Sequence, residues 1–196
     1  MSSAHKVIVR GVIIGRHMVG EGSVKVLVYT DALGLISVLA QSGRTERSQL
    51  RAHLQEGVRG TFSLLKGRDV WRMTGATHTS HSYFDFNELP EAQKAAARVL
   101  SFVRKFVRGE GSDPYFFRTL WGFLEALPHG SESALRDAEC VAILRMLAAL
   151  GYVEGDARVS PFLALSYDPP LLLEVSRVRS VLVKVINEGM HASGLS

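Results

Sequence analysis

Apolar and polar positions change their period once along this chain, near residue 80. Before that point the apolar residues come in short β-branched runs. These are Val7 to Ile14, Val24 to Thr30, Leu35 to Ala40, Val58 to Leu65 and Val70 to Thr79. Turn-rich segments separate them: Val19-Gly20-Glu21-Gly22-Ser23, Asp31-Ala32-Leu33-Gly34 and Lys66-Gly67-Arg68-Asp69. Such runs between glycine-bearing turns read as strands and hairpins. Ser48 to Gln55 is the one helical interruption. Five strands with a short helix between the third and fourth match an OB-fold barrel, an architecture that often binds single-stranded nucleic acid.

From Leu89 the period becomes helical. Pro90 opens Glu91 to Arg108, where Ala95, Val99, Phe102, Val103, Phe106 and Val107 form an apolar stripe. Asp113-Pro114 reads as an N-cap and a first-turn proline, starting a helix through Leu127. Ser131 or Ser133 opens the next helix, which runs through Leu150 and stops at Gly151. Gly155 to Tyr167 is irregular, Pro169-Pro170 is expected to forbid helix, and Val175 to Met190 forms a last amphipathic helix. The expected class is α+β: a five-stranded OB-fold β-barrel domain over 1–80, then an all-helical domain over 81–196.

Composition adds little to this, and charge adds more. With 196 residues, 46% hydrophobic and 21% charged, the chain has the make-up of an ordinary globular protein. No run approaches the roughly 20 apolar residues of a membrane span. The opening MSSAHKVIVRGVII, broken by Arg10 and followed by Arg16, lacks a signal-peptide layout, so a cytoplasmic location is expected. The single cysteine, Cys140, excludes an internal disulfide and reads as a small buried hydrophobe. The net charge of +4 is unevenly shared. Residues 1–80 hold 11 Lys+Arg and 5 Asp+Glu, a net +6; residues 81–196 hold 12 and 14, a net −2. The barrel region alone is suited to a polyanion.

No catalytic constellation emerges. Gly15 to Gly22 lacks the Lys-Ser/Thr ending of a phosphate-binding loop. The acids of the first 80 residues are scattered, which argues against a two-metal carboxylate site. His78 and His81, three apart on a strand, point to opposite faces and make a poor metal pair. Neither metal nor cofactor is expected.

The binding candidates are cationic. In Ala40 to Gln55, Arg44, Arg47 and Arg51 share one side if the segment is helical, with Leu50 and Leu54 beside them. Lys6, Arg10, Arg16, Lys25, Arg59, Lys66, Arg68 and Arg72 add charge to the same domain, with mere solubilisation as the alternative for about half of them. Tyr29 and Phe62 lie within apolar strands and read as core; Trp71, beside Arg72, is the base-stacking candidate, with burial as its alternative. In the helical part, Phe117 and Trp121 with Arg118 are candidates to receive an acidic, apolar partner peptide, the alternative being core.

Several short stretches resemble the RecO family of bacterial recombination mediators. They are Gly20-Glu21; Thr30 and Gly34; Ala40, Arg44, Arg47 and Ser48; and Leu50 to Gln55. Gly67-Arg68-Asp69, Met73 to Ala76, Leu150-Gly151-Tyr152, Ile186-Asn187 and Ser193-Gly194-Leu195 continue the series in order. The resemblance implies an OB domain joined to a helical domain. It also implies binding of single- and double-stranded DNA, strand annealing, and work with RecR in loading RecA onto gaps covered by single-strand-binding protein. The acidic tail of that protein would dock on the helical domain, and the chain would act in the cytoplasm at the nucleoid.

Two departures stand out. Many family members carry a four-cysteine zinc module after the central helix, whereas Val153 to Tyr167 is short and cysteine-free. Packing of Phe162, Leu163 and Leu165 is expected to hold that loop instead. Gln41, Thr45 and Glu46 also stand where the family is usually more basic. A non-enzymatic mediator is therefore the leading expectation. A protein adaptor with weak or lost DNA binding is the alternative, and a nucleic-acid enzyme is a third class lacking a visible metal or acid–base set.

Overall fold

The computed structural model describes residues 6–19, 23–41, 54–68, 70–81, 89–127, 131–153 and 157–194. They fall into two compact units. One is Met1–Asp85 with Val107–Ser112; the other is Phe86–Phe106 with Asp113–Ser196. The first holds β1 (Lys6–Val19), β2 (Ser23–Thr30), β3 (Gly34–Gln41), β4 (Val58–Lys66) and β5 (Trp71–His81). These form a closed barrel in the order β1-β2-β3-β5-β4, with β4 returning to β1. All pairs are antiparallel except β3 with β5, which is parallel and joins Val38 to Trp71 and Leu39 to Arg72. That order is the OB-fold the strand pattern led to expect.

Alternation along each strand fills the barrel. Val26, Val38, Val58, Phe62 and Leu64 are wholly buried, and Val9, Val28 and Ile36 nearly so. Tyr29 and Phe62 are both buried, as expected. The first strand outruns its apolar pattern, continuing through Gly15 and Arg16 to Val19 after a register shift between Ile13 and Gly15. Such an irregularity bends a long strand so that it can pair on both sides of a closed sheet. The β2–β3 turn is fixed by Thr30, whose hydroxyl donates to Gly34 O at 3.0 Å and accepts from Leu33 N at 2.9 Å. Gly34 has φ +65°, and a Cβ there would lie 2.4 Å from Gly111 O. The approach is used: Leu35 N donates to Gly109 O at 3.3 Å, and the Ser112 hydroxyl donates to Asp31 O.

The second unit holds α1 (Pro90–Phe106), α2 (Pro114–Ala126), α3 (Glu132–Ala149) and α4 (Pro169–Ala192), with a short 3-10 turn at Ser160–Leu163. α3 is central, packing against α1, α2, α4 and the 3-10 turn. Its Val141, Ala142, Leu144, Met146 and Leu147 are fully buried, as a helix apolar on several faces requires. Asp113 caps α2 by accepting from Tyr115 N and Phe116 N, and Ser131 caps α3. At the other end of α3, Gly151 takes φ +79°. Its N–H reaches Ala148 O while Tyr152 N–H reaches Leu147 O, the pairing of a Schellman cap.

One expectation fails here. α4 starts at Pro169, six residues before Val175, because Pro169-Pro170 occupies the first turn instead of blocking it. Asp168 caps that turn by accepting from Leu171 N at 3.0 Å, and the first-turn amides lost to proline have no intrahelical partner anyway. The Ser166 hydroxyl and the Leu171 amide hold the Asp168 carboxyl below its usual range, so the cap is kept at neutral pH and lost only in acid.

The loop before α4 is held by Arg145, a fully buried arginine on α3. Its Nε donates to Phe162 O at 2.7 Å and its Nη2 to Ser166 O at 2.9 Å, while the guanidinium lies 4.7 Å from the Tyr167 ring centre. Tyr115 Oη donates to Leu163 O at 2.7 Å and Tyr167 Oη to Thr119 O at 3.1 Å. Burial pushes both phenols up, so they remain neutral donors. Of the three residues expected to pin this loop, Phe162 is buried, whereas Leu165 is exposed and Leu163 only half-buried. Removing a buried cation that satisfies two carbonyls strands both of them. Arg145→Ala is therefore expected to cost about 3 kcal/mol in urea unfolding and to speed tryptic cleavage after Arg158. A change below ~0.5 kcal/mol, the size of a surface substitution, would contradict the clamp.

Candidate nucleic-acid interface

Barrel closure arranges surface cations in a row. Register runs from Lys25 on β2 to Leu39 on β3, Arg72 on β5, Leu65 on β4 and Lys6 on β1. Lys25, Arg72 and Lys6 are exposed, and Leu39 and Leu65 half-exposed, because their strand neighbours Val24, Val26, Val38, Trp71, Met73 and Leu64 face inward. Cations two strands apart stand about 10 Å from each other along the wall. The row re-enters β1 at His17, opposite Lys25, rather than at Lys6, which is the stagger of a tilted closed barrel. A row of cations separated by aliphatic residues can neutralise phosphates and rest sugars or bases on the leucines.

The expected DNA-contact residues divide into four groups. Lys25 and Arg72 are brought together across Leu39. Arg68 is exposed in the β4–β5 turn, at the edge of a cleft of about 300 Å³ that also includes Lys66, Trp71 and the acid Glu110. Arg16 is half-buried and engaged locally: Nη1 donates to Gln55 Oε1 at 3.2 Å, and Nη2 lies 3.8 Å from Met18 Sδ. Arg44, Arg47 and Arg51 lie outside the described residues, as do the side chains of His78 and His81.

Trp71 needs correcting as a stacking platform. It is 8% exposed and belongs to the barrel core, with the Lys66 ammonium 5.5 Å from its ring centre. Pairing with Val38 turns its side chain inward, so little of the ring is left for a base. The row's members Lys6, Leu39 and Leu65 carry no motif of their own. Their signal is two-residue alternation combined with register, and register is not visible in one strand alone.

The expected partner patch divides similarly. Arg118 is exposed, with Nε donating to Pro114 O at 3.2 Å, and Trp121 is half-buried, with Nε1 donating to Glu125 Oε1 at 2.7 Å. Phe117 is 3% exposed and packs 5.6 Å from the Trp121 ring, which corrects its place from docking surface to core. A second groove of about 360 Å³ runs between α1, α3 and α4. Its apolar wall includes Phe102 and Phe106, stacked at 4.2 Å, and its rim carries Lys105 and Arg98. Arg98 is bidentate to Glu139 at 2.5 and 2.6 Å.

Among the described residues, no three His, Cys, Asp or Glu side chains are placed to hold a metal ion, and no helix is long and apolar enough to cross a membrane. Cys140 is 7% exposed, and burial pushes its thiol up to about 11, leaving it protonated at neutral pH.

An OB-fold barrel joined in sequence to a four-helix unit is thus the class that the strand order and helices define. Residues 1–80 match the family model described as "Recombination protein O N terminal". Similarity extends further in two proteins named DNA repair protein RecO, from Dehalococcoides mccartyi strains CBDB1 and BAV1. Each is 27% identical over 154 residues, which is 78% of this chain and 59% of theirs. The same-named protein of strain 195 is 27% identical over 135 residues, covering 69% of this chain and 53% of its own length. The chain is thus similar to RecO proteins over its barrel and beyond it, and it spans somewhat over half the length of these relatives.

The inward Trp71 gives a clear test of its role. Trp71→Ala is expected to destabilise the chain by about 3–5 kcal/mol, as emptying a core aromatic site does, read from chemical denaturation. A loss under ~1 kcal/mol would mean that the ring does not carry the barrel core.

Proposed function

We propose that this protein is a non-enzymatic mediator of recombination in DNA repair. In this reading residues 1–80 form the DNA-binding domain and residues 81–196 a partner-binding domain. Cations on the barrel neutralise phosphates of single- and double-stranded DNA. That lowers the repulsion between complementary strands and so favours annealing. Together with RecR, the protein would help RecA onto gaps covered by single-strand-binding protein, in the bacterial cytoplasm at the nucleoid. The observation that carries the proposal is the coincidence of a RecO N-terminal match with a cation row across the same barrel.

Lys25 and Arg72 are the proposed centre of the contact, with Lys6 beyond them and Arg68 at its flank; Arg44, Arg47 and Arg51 are proposed as further DNA contacts. Arg16 serves the β1 fold first, given its contacts with Gln55 and Met18. For the acidic, apolar tail of single-strand-binding protein, the groove lined by Phe102 and Phe106 and rimmed by Lys105 is a proposed surface beside Arg118 and Trp121. A second reading, an adaptor with weak DNA binding, is favoured by one observation: buried Trp71 removes the stacking term that strengthens many OB-fold contacts.

Titration of labelled oligo-dT across a salt series distinguishes these readings. Replacing Lys25 and Arg72 together by Ala is expected to reduce the slope of log K against log salt by about 0.7 per lost phosphate contact, and Arg44, Arg47 and Arg51 to Ala by up to about three such steps. Both exposed barrel substitutions should leave stability within about 0.5 kcal/mol. Slopes unchanged in both variants would reject the barrel face. Wild-type binding weaker than the ~10⁻⁴ M end of non-specific affinity would favour the adaptor.

A further inference from the structure

Among the described residues, the barrel unit exposes three large hydrophobic side chains, all on β1: Ile8, Met18 and Val19. Ile8 is the most exposed at 64%, although Val7 and Val9 on either side of it pack into the barrel. Alternation turns it outward with Lys6 and Arg10, which are both exposed. Register sets Ile8 opposite Ser63 on β4, and Ser63 opposite Gly75 on β5. Half-exposed Leu65 is the diagonal neighbour of Ile8, roughly 7 Å away, and Arg72 lies opposite Leu65 on its far side. An aliphatic pair is thus bordered by Lys6, Arg10 and Arg72.

Gly75 makes this surface concave. Its φ is not left-handed, and a Cβ there would meet only Ser63 Cβ at 3.9 Å, an ordinary contact. It adjoins the register shift between Ser63 and Leu64, yet neither its backbone conformation nor crowding in the barrel calls for glycine. A glycine inside a strand forgoes β-propensity and packing, and where the fold does not require it, it leaves room for close approach of a ligand. The floor beside Ile8 is therefore a serine and a glycine, with aliphatic wall on one side and cations around it.

The occupant that fits is flat, apolar on its faces and tied to negative charge. An unpaired nucleobase on its phosphate chain has all three properties: the phosphates meet the cations, and the base lies over Ser63 and Gly75 against Ile8 and Leu65. In a duplex the base faces are stacked on one another, so only the phosphates are offered to this surface. An acidic protein segment matches the charge but brings no flat group for the notch. We propose that Ile8, Leu65 and Gly75 form a base-receiving notch that gives the barrel face a preference for single-stranded over double-stranded DNA. The proposal rests on the DNA-binding reading of this face and adds the residues that discriminate between the two forms.

The test is an anisotropy titration of the full chain with a labelled, unstructured mixed-sequence strand and with its blunt duplex. Ile8→Thr keeps a β-branched residue at an exposed strand position and removes the apolar contact. It is expected to weaken single-strand binding about fivefold and to leave duplex binding within about twofold. The salt slope should not change, since no phosphate-neutralising charge is lost. Gly75→Val fills the notch with a side chain that favours strands, and should weaken the single strand similarly without loss of stability. Ile8→Trp should tighten the single strand about tenfold by stacking, a gain that misfolding cannot imitate. Single-strand affinity unchanged in Ile8→Thr and Gly75→Val, with the wild type binding both forms, would overturn the notch in favour of a protein partner and leave the DNA reading standing. Equal losses on strand and duplex would also overturn it, because the contact would then be to the backbone both forms share. A wild-type chain that binds neither form would overturn the DNA reading and the notch with it.

Discussion

The short parallel contact between β3 and β5 is the constraint on which the barrel and its surface both depend. Opposing Val38 to Trp71 and Leu39 to Arg72 closes the sheet and also sets which side chains face in. Two-residue alternation then leaves no freedom: Trp71 enters the core and Arg72 goes outside, beside Leu39 and one further strand from Lys25. A slip of one residue would reverse both, exposing the indole and burying a guanidinium. Core packing and surface charge are thus consequences of the same pairing. The bulge in β1 serves that closure by letting one strand pair with β2 and β4 together.

The helical unit has its own organising interaction. α3 is enclosed on most sides, so a charged residue on it must find partners within the protein. Arg145 finds them in the carbonyls of Phe162 and Ser166 and in the face of Tyr167. This holds the loop that precedes α4 in a chain whose residues 153–167 offer no thiolate for a metal. Asp137, nearer the start of the same helix, is instead ion-paired with Arg179 at 3.4 Å.

The sequence made the barrel legible because β-branched runs and glycine turns are local signals, and they located five strands to within a few residues except at the end of β1. Gly151 and Asp113 likewise marked helix ends through chemistry carried by single residues. Pro169-Pro170 misled, since the same dipeptide stops a helix in its interior and starts one behind a capping aspartate; Asp168 was the deciding neighbour. Trp71 was ambiguous because its direction depends on which strand it pairs with, a non-local fact. Arg145 gave no warning at all, as an arginine amid apolar helix residues reads as a surface position until the loop folds over it. For the candidate interface, the sign of the charge was legible from composition, but the joining of Lys25 to Arg72 was not, because it is made by register across β3.

The outward row set by β3–β5 closure is the proposed DNA-contact surface. Hydrogen–deuterium exchange of the full chain, with and without an oligo-dT strand at low salt, addresses it most directly. Slowed exchange is expected in β2, β3 and β5 around residues 25, 39 and 72, with the amides of α1 to α4 unchanged. Protection confined to the helices, with those three strands exchanging as in the free protein, would contradict it.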